Sequence, residues 1–239
     1  MTTTRVAVVT GAASGIGAAT VARLAADSLV AGIDVVASPR AGVLDLTADV
    51  SQQPHVDAAF ARIIADFGHV DVLVNNAGTT GGAHASLCHD SAVEDSDLMM
   101  AVNVRGPFPW AKAVLPAMLA RRSEHIMNVA SIAAQVAFPE RCARTASKGA
   151  VVAFIRPLAA AYAPAGIRAN ATCPGVVQTP MTHWRLDREL LRKKVEARVP
   201  LGRVARANEF AAAIAVLAGD QLSYITGHTL VLDVGWTAI

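Results

Sequence analysis

The sequence predicts an α/β protein in which one doubly wound parallel sheet carries helices on both faces. Three observations support this fold class: short continuous apolar runs, segments with helical spacing between them, and a glycine-rich turn directly after the first run. Apolar runs of this kind suit strands buried on both faces, and strands that alternate with helices form parallel sheets. With 53% hydrophobic and 17% charged residues, the chain can bury a sizeable core.

The expected elements alternate along the chain. Strands are expected at 6–9, 30–35, 43–46, 70–74, 125–129, 168–172 and 229–234, where β-branched and small apolar residues follow one another. Helices are expected at 18–26, 56–67, 95–119, 145–163 and 209–217, where apolar residues recur at helical spacing. The stretch 34–46 is interrupted by Pro and Gly, so an irregular connection is expected there. Segment 179–206 lacks strand character and is a candidate substrate lid.

Length, charge and cysteine content narrow the class of protein. The 239 residues contain no linker, which predicts a single domain over 1–239. A net charge of +2 is too small to suggest nucleic-acid binding. Cys88, Cys142 and Cys173 lie far apart, so neither a disulfide framework nor a zinc site is favoured. The first apolar run is too short for a signal peptide and no run is long enough to span a membrane, so we expect a cytoplasmic protein.

The strongest local motif is Thr10-Gly-Ala-Ala-Ser-Gly-Ile-Gly17, which follows a strand and opens a helix. Glycines let the backbone turn tightly and approach a pyrophosphate at the positive helix N-terminus. Asp34 closes the second strand, where a carboxylate accepts hydrogen bonds from a ribose 2′-hydroxyl and repels a 2′-phosphate. NAD(H) is therefore favoured over NADP(H), although Arg40 could soften the repulsion and Asp34 could be an ordinary loop acid.

Further motifs stand in a recognisable order: Asp49-Val50, Asn75-Asn76-Ala77-Gly78, Asn103, Ser131, Ala146-Ser147-Lys148 and Pro174-Gly175 with Thr179. With the glycine-rich turn they resemble the short-chain dehydrogenase/reductase family over essentially the whole chain. The resemblance implies a Rossmann-type fold, a nicotinamide dinucleotide cofactor and the interconversion of a carbonyl and an alcohol on a small molecule.

The resemblance also implies roles for matching residues. Gly11, Ser14, Gly15, Ile16 and Gly17 would hold the pyrophosphate, Asp34 the adenosine ribose, and Asp49 and Val50 the adenine. Asn76, Ala77 and Gly78 would line the cofactor cleft, with Pro174, Gly175, Val177 and Thr179 near the nicotinamide. Asn103 would support a bound water, Ser131 would hydrogen-bond the substrate oxygen, and Lys148 would bind the nicotinamide ribose and lower the pKa of a tyrosine. No metal is implied.

A small departure from the family is Val234, which stands where members usually have a glycine. The decisive departure lies at another position. Family members place a tyrosine four residues before the lysine, and here that residue is Arg144. An arginine stays protonated and cannot act as a base, although it could stabilise a developing alkoxide. Tyr162 and Tyr224 are not obvious substitutes, so the proton would come from Lys148, Ser131 or water. Two alternatives stay open: a non-catalytic dinucleotide-binding protein (a sensor or an oligomer partner), and an altered chemistry such as elimination or hydration.

For several other residues, a structural role is favoured over a role in catalysis or ligand binding. His84, Cys88 and His89 are treated as a polar loop rather than as metal ligands, and Cys142 as an inert thiol. The basic residues of the candidate lid favour a solvated helix with a Glu189–Lys193 pair over anion capture; they are Arg185, Arg188, Arg192, Lys193, Lys194 and Arg198. Apolar excess on helices 104–119 and 145–163 predicts a homotetramer or homodimer. Neither the substrate nor the physiological direction follows from the sequence.

Overall fold

The computed structural model describes residues 4–81, 87–122 and 124–239. Its strands are β1 Val6–Thr10, β2 Leu29–Asp34, β3 Val43–Thr47, β4 Val72–Asn75, β5 His125–Val129, β6 Arg168–Pro174, β7 Val177–Gln178, β8 Ala205–Arg206 and β9 Thr229–Leu232. Its α-helices are α1 Gly15–Leu24, α2 Gln53–Phe67, α3 Val93–Met99, α4 Pro107–Arg121, α5 Cys142–Tyr162, α6 His183–Leu186, α7 Glu189–Glu196 and α8 Ala207–Ala218.

Seven strands form one parallel sheet in the order β3-β2-β1-β4-β5-β6-β9. The predicted fold class is therefore confirmed. The order reverses between β1 and β4, which pair in register with Val8 opposite Leu73. In doubly wound sheets, ligands bind beyond the carboxyl ends of the strands at such a reversal. The topology thus places a crevice where the glycine-rich turn leaves β1.

Two hydrophobic cores cover the two faces of the sheet. Trp110 of α4 and Ile155 of α5 belong to the core on one face, and both side chains are fully buried. Val21 of α1 and Ile214 of α8 belong to the core on the opposite face. Because both faces are covered, every residue of β1 is buried, which explains its uninterrupted apolar run. None of the described helices is long and apolar enough to cross a membrane.

The predicted helix 95–119 is divided in the structure. Helix α3 ends at Met99, the segment Met100–Arg105 is π-helical, and α4 begins at Pro107. Proline lacks a backbone N–H and is tolerated in the first turn of a helix, which explains the new start at Pro107. The π-helical segment buries Asn103. Pro157 lies inside α5, which continues through it from Cys142 to Tyr162.

The candidate lid has more structure than the sequence indicates. The stretch 34–46 lacks a helix, as predicted, but 179–206 contains α6 and α7 and ends in β8. Strand β8 pairs with β7, and both are only two residues long. Two residues carry no detectable period, so the expectation of no strand character was wrong there. Leu186, Val195 and Val199 fix the segment in a cluster that includes Trp236.

Candidate active site

A cleft of about 480 Å³ opens at the carboxyl ends of β1 and β4. Of the sequence-predicted residues, those that line it are Gly11, Ser14, Gly15, Ile16, Asp34, Asp49, Val50, Asn76, Ala77, Gly78, Arg144, Lys148, Pro174, Gly175, Val177 and Thr179. Gly17, Asn103 and Ser131 are absent from the lining and lie behind it. Thr79, Met181 and Thr182 are among the lining residues that were not predicted from the sequence. Thr79 could have been predicted as a lining residue, because it directly follows Gly78 in the motif at the end of β4.

The glycine-rich turn fits a pyrophosphate through its backbone. Gly11 adopts a φ of 67°, a left-handed conformation that side chains rarely accept. A Cβ at Gly17 would overlap the carbonyl oxygen of Gly11, so the turn packs against the first turn of α1 only because Gly17 has none. The N–H groups at the start of α1 and the positive end of that helix then favour an anion beside the turn.

Side chains from β1 and β4 hold this turn in place. Thr10 Oγ1 accepts hydrogen bonds from the backbone N–H groups of Asn76 at 3.1 Å and Ala77 at 3.0 Å. Asn76 Nδ2 donates in return to the carbonyl oxygens of Thr10 at 2.9 Å and Gly11 at 3.1 Å. Asn76 therefore lines the cleft and also ties the turn to β4.

The end of the cleft beside β2 carries two carboxylates, those of Asp34 and Asp49. Asp34 Oδ2 accepts a hydrogen bond from the N–H of Ala13 at 2.8 Å, and Oδ1 accepts one from Val36 at 3.3 Å. Arg40 lies against the same turn, where Nη2 donates to the carbonyl oxygen of Ala12 at 2.9 Å. Each Asp34 oxygen accepts one bond here, so the carboxylate keeps acceptor capacity for a ligand in the cleft. Asp49 also lines the cleft and accepts hydrogen bonds from the N–H and Oγ of Ser51.

Asn103 is a buried connector between three elements. Its Oδ1 accepts from the N–H of Thr79 at 2.8 Å, and its Nδ2 donates to the carbonyl oxygen of Thr79 and to Ser147 Oγ, each at 3.0 Å. The side chain thereby joins the π-helical segment to the end of β4 and to α5. π-helical segments are often found at functional sites, and here the geometry brings Asn103 directly beneath the cleft.

Ser131 and Arg144 meet at the inner end of the cleft. Ser131 Oγ accepts a hydrogen bond from the N–H of Ala133 at 3.2 Å and a second, longer one from Arg144 Nη2 at 3.4 Å. Burial, and then the neighbouring charge of Arg141, lowers the pKa of Arg144 to about 10. The guanidinium is therefore still protonated at neutral pH and presents a positive N–H group beside the serine hydroxyl.

Lys148 lies one helical turn after Arg144 and is only 5% exposed. Its Nζ donates to the carbonyl oxygen of Val129 at 2.9 Å. Burial, and then the charge of Arg144, lowers the pKa of Lys148 to about 7, against a smaller opposing effect of Cys173. Burial in turn raises the pKa of the Cys173 thiol. Lys148 is thus a side chain of the cleft that changes its charge near neutral pH.

The candidate metal ligands and the two tyrosines lie away from this centre, whereas Cys142 is exposed and lines a smaller pocket together with Arg144. Cys88 and His89 are exposed, and His89 contacts Asp90 at 3.3 Å. His84 lies outside the described residues, and within the described ranges no three His, Cys, Asp or Glu side chains are grouped as metal ligands. Tyr162 packs against the core at the far end of α5, and Tyr224 is fully exposed, so neither lines the cleft.

Comparisons with known proteins identify the family. The family model described as Enoyl-(Acyl carrier protein) reductase matches residues 11–237. The 2-(R)-hydroxypropyl-CoM dehydrogenase of Xanthobacter autotrophicus is 46% identical over 248 residues, which cover 98% of this chain and 99% of that protein. The D-threitol dehydrogenase of Mycolicibacterium smegmatis is 38% identical over 247 residues, which cover 98% of this chain and 93% of that protein.

A solved structure gives the same result. The 3-ketoacyl-(acyl-carrier-protein) reductase from Brucella melitensis, complexed with NADH, matches with a TM-score of 0.90 and 31% identity over 98% of each chain. The cleft, the backbone of the glycine-rich turn and this NADH-bound neighbour all support a nicotinamide dinucleotide as the cofactor. The chain therefore belongs to the short-chain dehydrogenase/reductase family and is an oxidoreductase of that type.

Proposed function

We propose that the protein is an NAD(H)-dependent oxidoreductase that interconverts a carbonyl and an alcohol on a small molecule. The observation that carries this proposal is that Arg144 and Lys148 line one end of a cleft whose other end carries Asp34, and that Arg144 contacts Ser131 just behind the lining. When bound, the dinucleotide supplies or accepts the hydride. The names of two relatives specify hydroxylated compounds, 2-(R)-hydroxypropyl-CoM and D-threitol, which supports a small hydroxyl or carbonyl compound as the substrate.

The preference for NAD(H) over NADP(H) rests on charge at the adenosine end. Asp34 is at the end of β2, and its two oxygens each accept one backbone N–H. Remaining lone pairs suit the hydroxyl groups of an unmodified ribose, whereas a 2′-phosphate would meet a like charge. Nη2 of Arg40 donates to the carbonyl oxygens of Ala12 and Ala13, whereas Nη1 has no partner among the described residues, so Arg40 offsets that repulsion only in part.

At the other end, each side chain has a distinct task. Ser131 Oγ donates to the substrate oxygen, and the N–H groups of Arg144 stabilise negative charge that develops on that oxygen. Lys148 holds or releases the proton, since a group whose pKa lies near the working pH is suited to proton transfer. Asn103 fixes α5 against the end of β4 and so positions these groups.

One observation favours a second candidate function. Arg144 stands where the family places its proton-transferring tyrosine, and a guanidinium with a pKa of about 10 does not act as a base at neutral pH. The protein would then bind the dinucleotide without efficient turnover, as a sensor or as the partner of an active subunit. In this second candidate the cofactor still binds, and only the proton transfer that turnover requires is impaired.

Two measurements on the same preparation distinguish these candidates. Calorimetric titration with NADH reports binding, and loss of NADH absorbance with a panel of ketones and aldehydes reports turnover. Binding with turnover supports the oxidoreductase, and binding without turnover supports the impaired protein. Absence of NADH binding would contradict both. Arg156→Gln, which removes an exposed charge from the same helix α5, serves as the matched control for Arg144 variants.

Assembly and domain organisation belong to the same proposal. We expect a homotetramer or homodimer that pairs α4 and α5 between subunits. Phe108 of α4 is 57% exposed and lies 6.1 Å from the ring of Phe154 on α5, and Leu119 is 43% exposed. Such an apolar face suits an interface between identical copies. A single domain over 1–239 with 179–206 as its lid, and a cytoplasmic location, stay predictions from the sequence.

A further inference from the structure

Three arginines lie beside the cleft, at the start of α5 and on α6. Arg144 lines the main cleft, and Arg141 and Arg144 together line a smaller pocket beside it. The guanidinium carbon of Arg141 lies over the ring of Trp184, 5.8 Å from its centroid, which brings α6 of the lid against the start of α5. Arg185 is the next residue of α6 and is half-buried. We call Arg141, Arg144 and Arg185 the arginine cluster.

Among the described residues, no member of the arginine cluster forms an ion pair with a carboxylate, although Asp95 and Glu140 line the smaller pocket together with Arg141 and Arg144. Elsewhere on the lid the expected pairing is found: Lys193 pairs with Glu189 at 2.7 Å, and Arg192 lies 3.5 Å from Glu196. No carboxylate within the described ranges forms an ion pair with a member of the cluster. Residues 1–3, 82–86 and 123 contain no Asp or Glu, so they add none. The interpretation as a solvated, paired helix thus fits α7 but does not extend to Arg185.

The surroundings make these charges unfavourable without a counter-ion. Helix α5 is 21 residues long, its first turn contains no acidic residue, and its positive end coincides with Arg141 and Arg144. Burial, and then the charges of Arg141 and Arg198, lowers the pKa of Arg185. Like charges held together in partly buried positions are costly unless an anion compensates them. This arrangement is the electrostatic complement of an anionic ligand.

We propose that Arg141 and Arg185 bind a terminal oxyanion of the substrate while its reacting carbon lies at Ser131. The substrate class is then a small ketone or secondary alcohol with a sulfonate, phosphate or carboxylate at its far end. Arg144 lies between the two ends, since its Nη2 reaches Ser131 Oγ. Planar guanidinium groups bind such oxyanions in a bidentate manner. The position of the reacting carbon rests on the function proposed above, whereas the oxyanion site does not.

The oxyanion site can be tested without turnover. Pentane-1-sulfonate is titrated calorimetrically into the protein, with and without saturating NADH, beside the uncharged 1-pentanol. We expect the sulfonate to bind more tightly than the alcohol. Arg141→Gln and Arg185→Gln should each weaken the sulfonate about ten- to hundredfold, because each removes a charge-assisted contact. Lys194→Gln is the matched control, since it removes one exposed charge from the same lid and should leave the affinity unchanged.

A charge-conserving variant, a folding control and an activity measurement complete the test. Arg185→Lys retains the charge but loses the planar guanidinium, so its affinity for the sulfonate should lie between those of the parent and Arg185→Gln. Thermal melting verifies that each variant is folded. Equal binding by the parent and both glutamine variants would overturn the proposal, as would an equal loss in Lys194→Gln. A second readout compares NADH oxidation with 5-oxohexane-1-sulfonate and 2-hexanone. Failure of both ketones to react, with sulfonate binding intact, would contradict the proposed reaction and leave the oxyanion site supported.

Discussion

Nη2 of Arg144 donates a hydrogen bond to Oγ of Ser131 over 3.4 Å. This places a permanent cation at the inner end of the cleft, one helical turn from Lys148 on the same face of α5. The pKa of Arg144 is lowered only to about 10, whereas that of Lys148 is lowered to about 7. Lys148 is therefore the group whose charge, and whose effect on a ligand, changes across the neutral range.

The first prediction concerns the pH dependence of cofactor binding. Below pH 7 both Lys148 and Arg144 are positive, which disfavours the positively charged nicotinamide of NAD⁺ relative to NADH. As the pH rises through about 7, Lys148 loses its proton, so NAD⁺ affinity should improve several-fold relative to NADH between pH 6 and 8.5. Calorimetric titrations at both pH values measure this ratio. Lys148→Met should give a ratio independent of pH, and Lys112→Met, an exposed site on α4, should behave as the parent. A flat ratio in the parent would refute the assignment to Lys148.

The second prediction concerns cofactor choice. We expect NADH to bind at least tenfold more tightly than NADPH, which corresponds to about 1.4 kcal/mol. Asp34→Ala should narrow the difference, because it removes the carboxylate that would repel a 2′-phosphate. Asp45→Ala is the matched control: Asp45 lies on the neighbouring strand β3 and accepts a hydrogen bond from the N–H of Ser38, away from the cleft lining. Similar dissociation constants for the two cofactors in the parent would contradict this interpretation.

The third prediction concerns backbone strain near the C-terminus. Val234 has a φ of 54°, a left-handed conformation that is costly for a β-branched residue, and it stands where the family resemblance places a glycine. Val234→Gly should therefore maintain or raise the free energy of unfolding. Val231→Gly is the matched control, because Val231 packs in the same cluster from the extended strand β9. Urea unfolding should separate the two variants by about 2 kcal/mol. Equal losses would mean that Val234 carries no strain.

The fourth prediction concerns assembly. Multi-angle light scattering should give a dimer or tetramer at micromolar concentration. Phe108→Asp should dissociate it, because a charge is placed in an apolar interface. Leu190→Asp, on an exposed and apolar position of α7, should leave the assembly intact. A monomeric parent protein would show that the apolar face of α4 and α5 has another purpose.

The sequence predicted the sheet well because its strands are buried on both faces. Strand β5 has the predicted bounds, and α2 ends before Gly68, whose φ is 80°. The π-helical segment was not predictable, since it depends on contacts of Asn103 with residues distant in the chain. Most of the cleft lining followed from motif order. The contact of Arg141 with Trp184 did not, because it depends on how the lid folds onto α5.

The central claim is that Arg144 occupies the position of the proton-transferring group. NAD⁺-dependent oxidation of secondary alcohols, including 5-hydroxyhexane-1-sulfonate, by the parent and by Arg144→Tyr tests it most directly. We expect oxidation by the parent to be slow, because Arg144 cannot accept the alcohol proton and Lys148 has to accept it instead. Restoring an acid–base group should raise the rate of Arg144→Tyr about 10²–10⁴-fold, with an alkaline optimum. Arg156→Tyr should give no gain. Rapid oxidation by the parent, or no gain from Arg144→Tyr despite intact folding and cofactor binding, would contradict the claim.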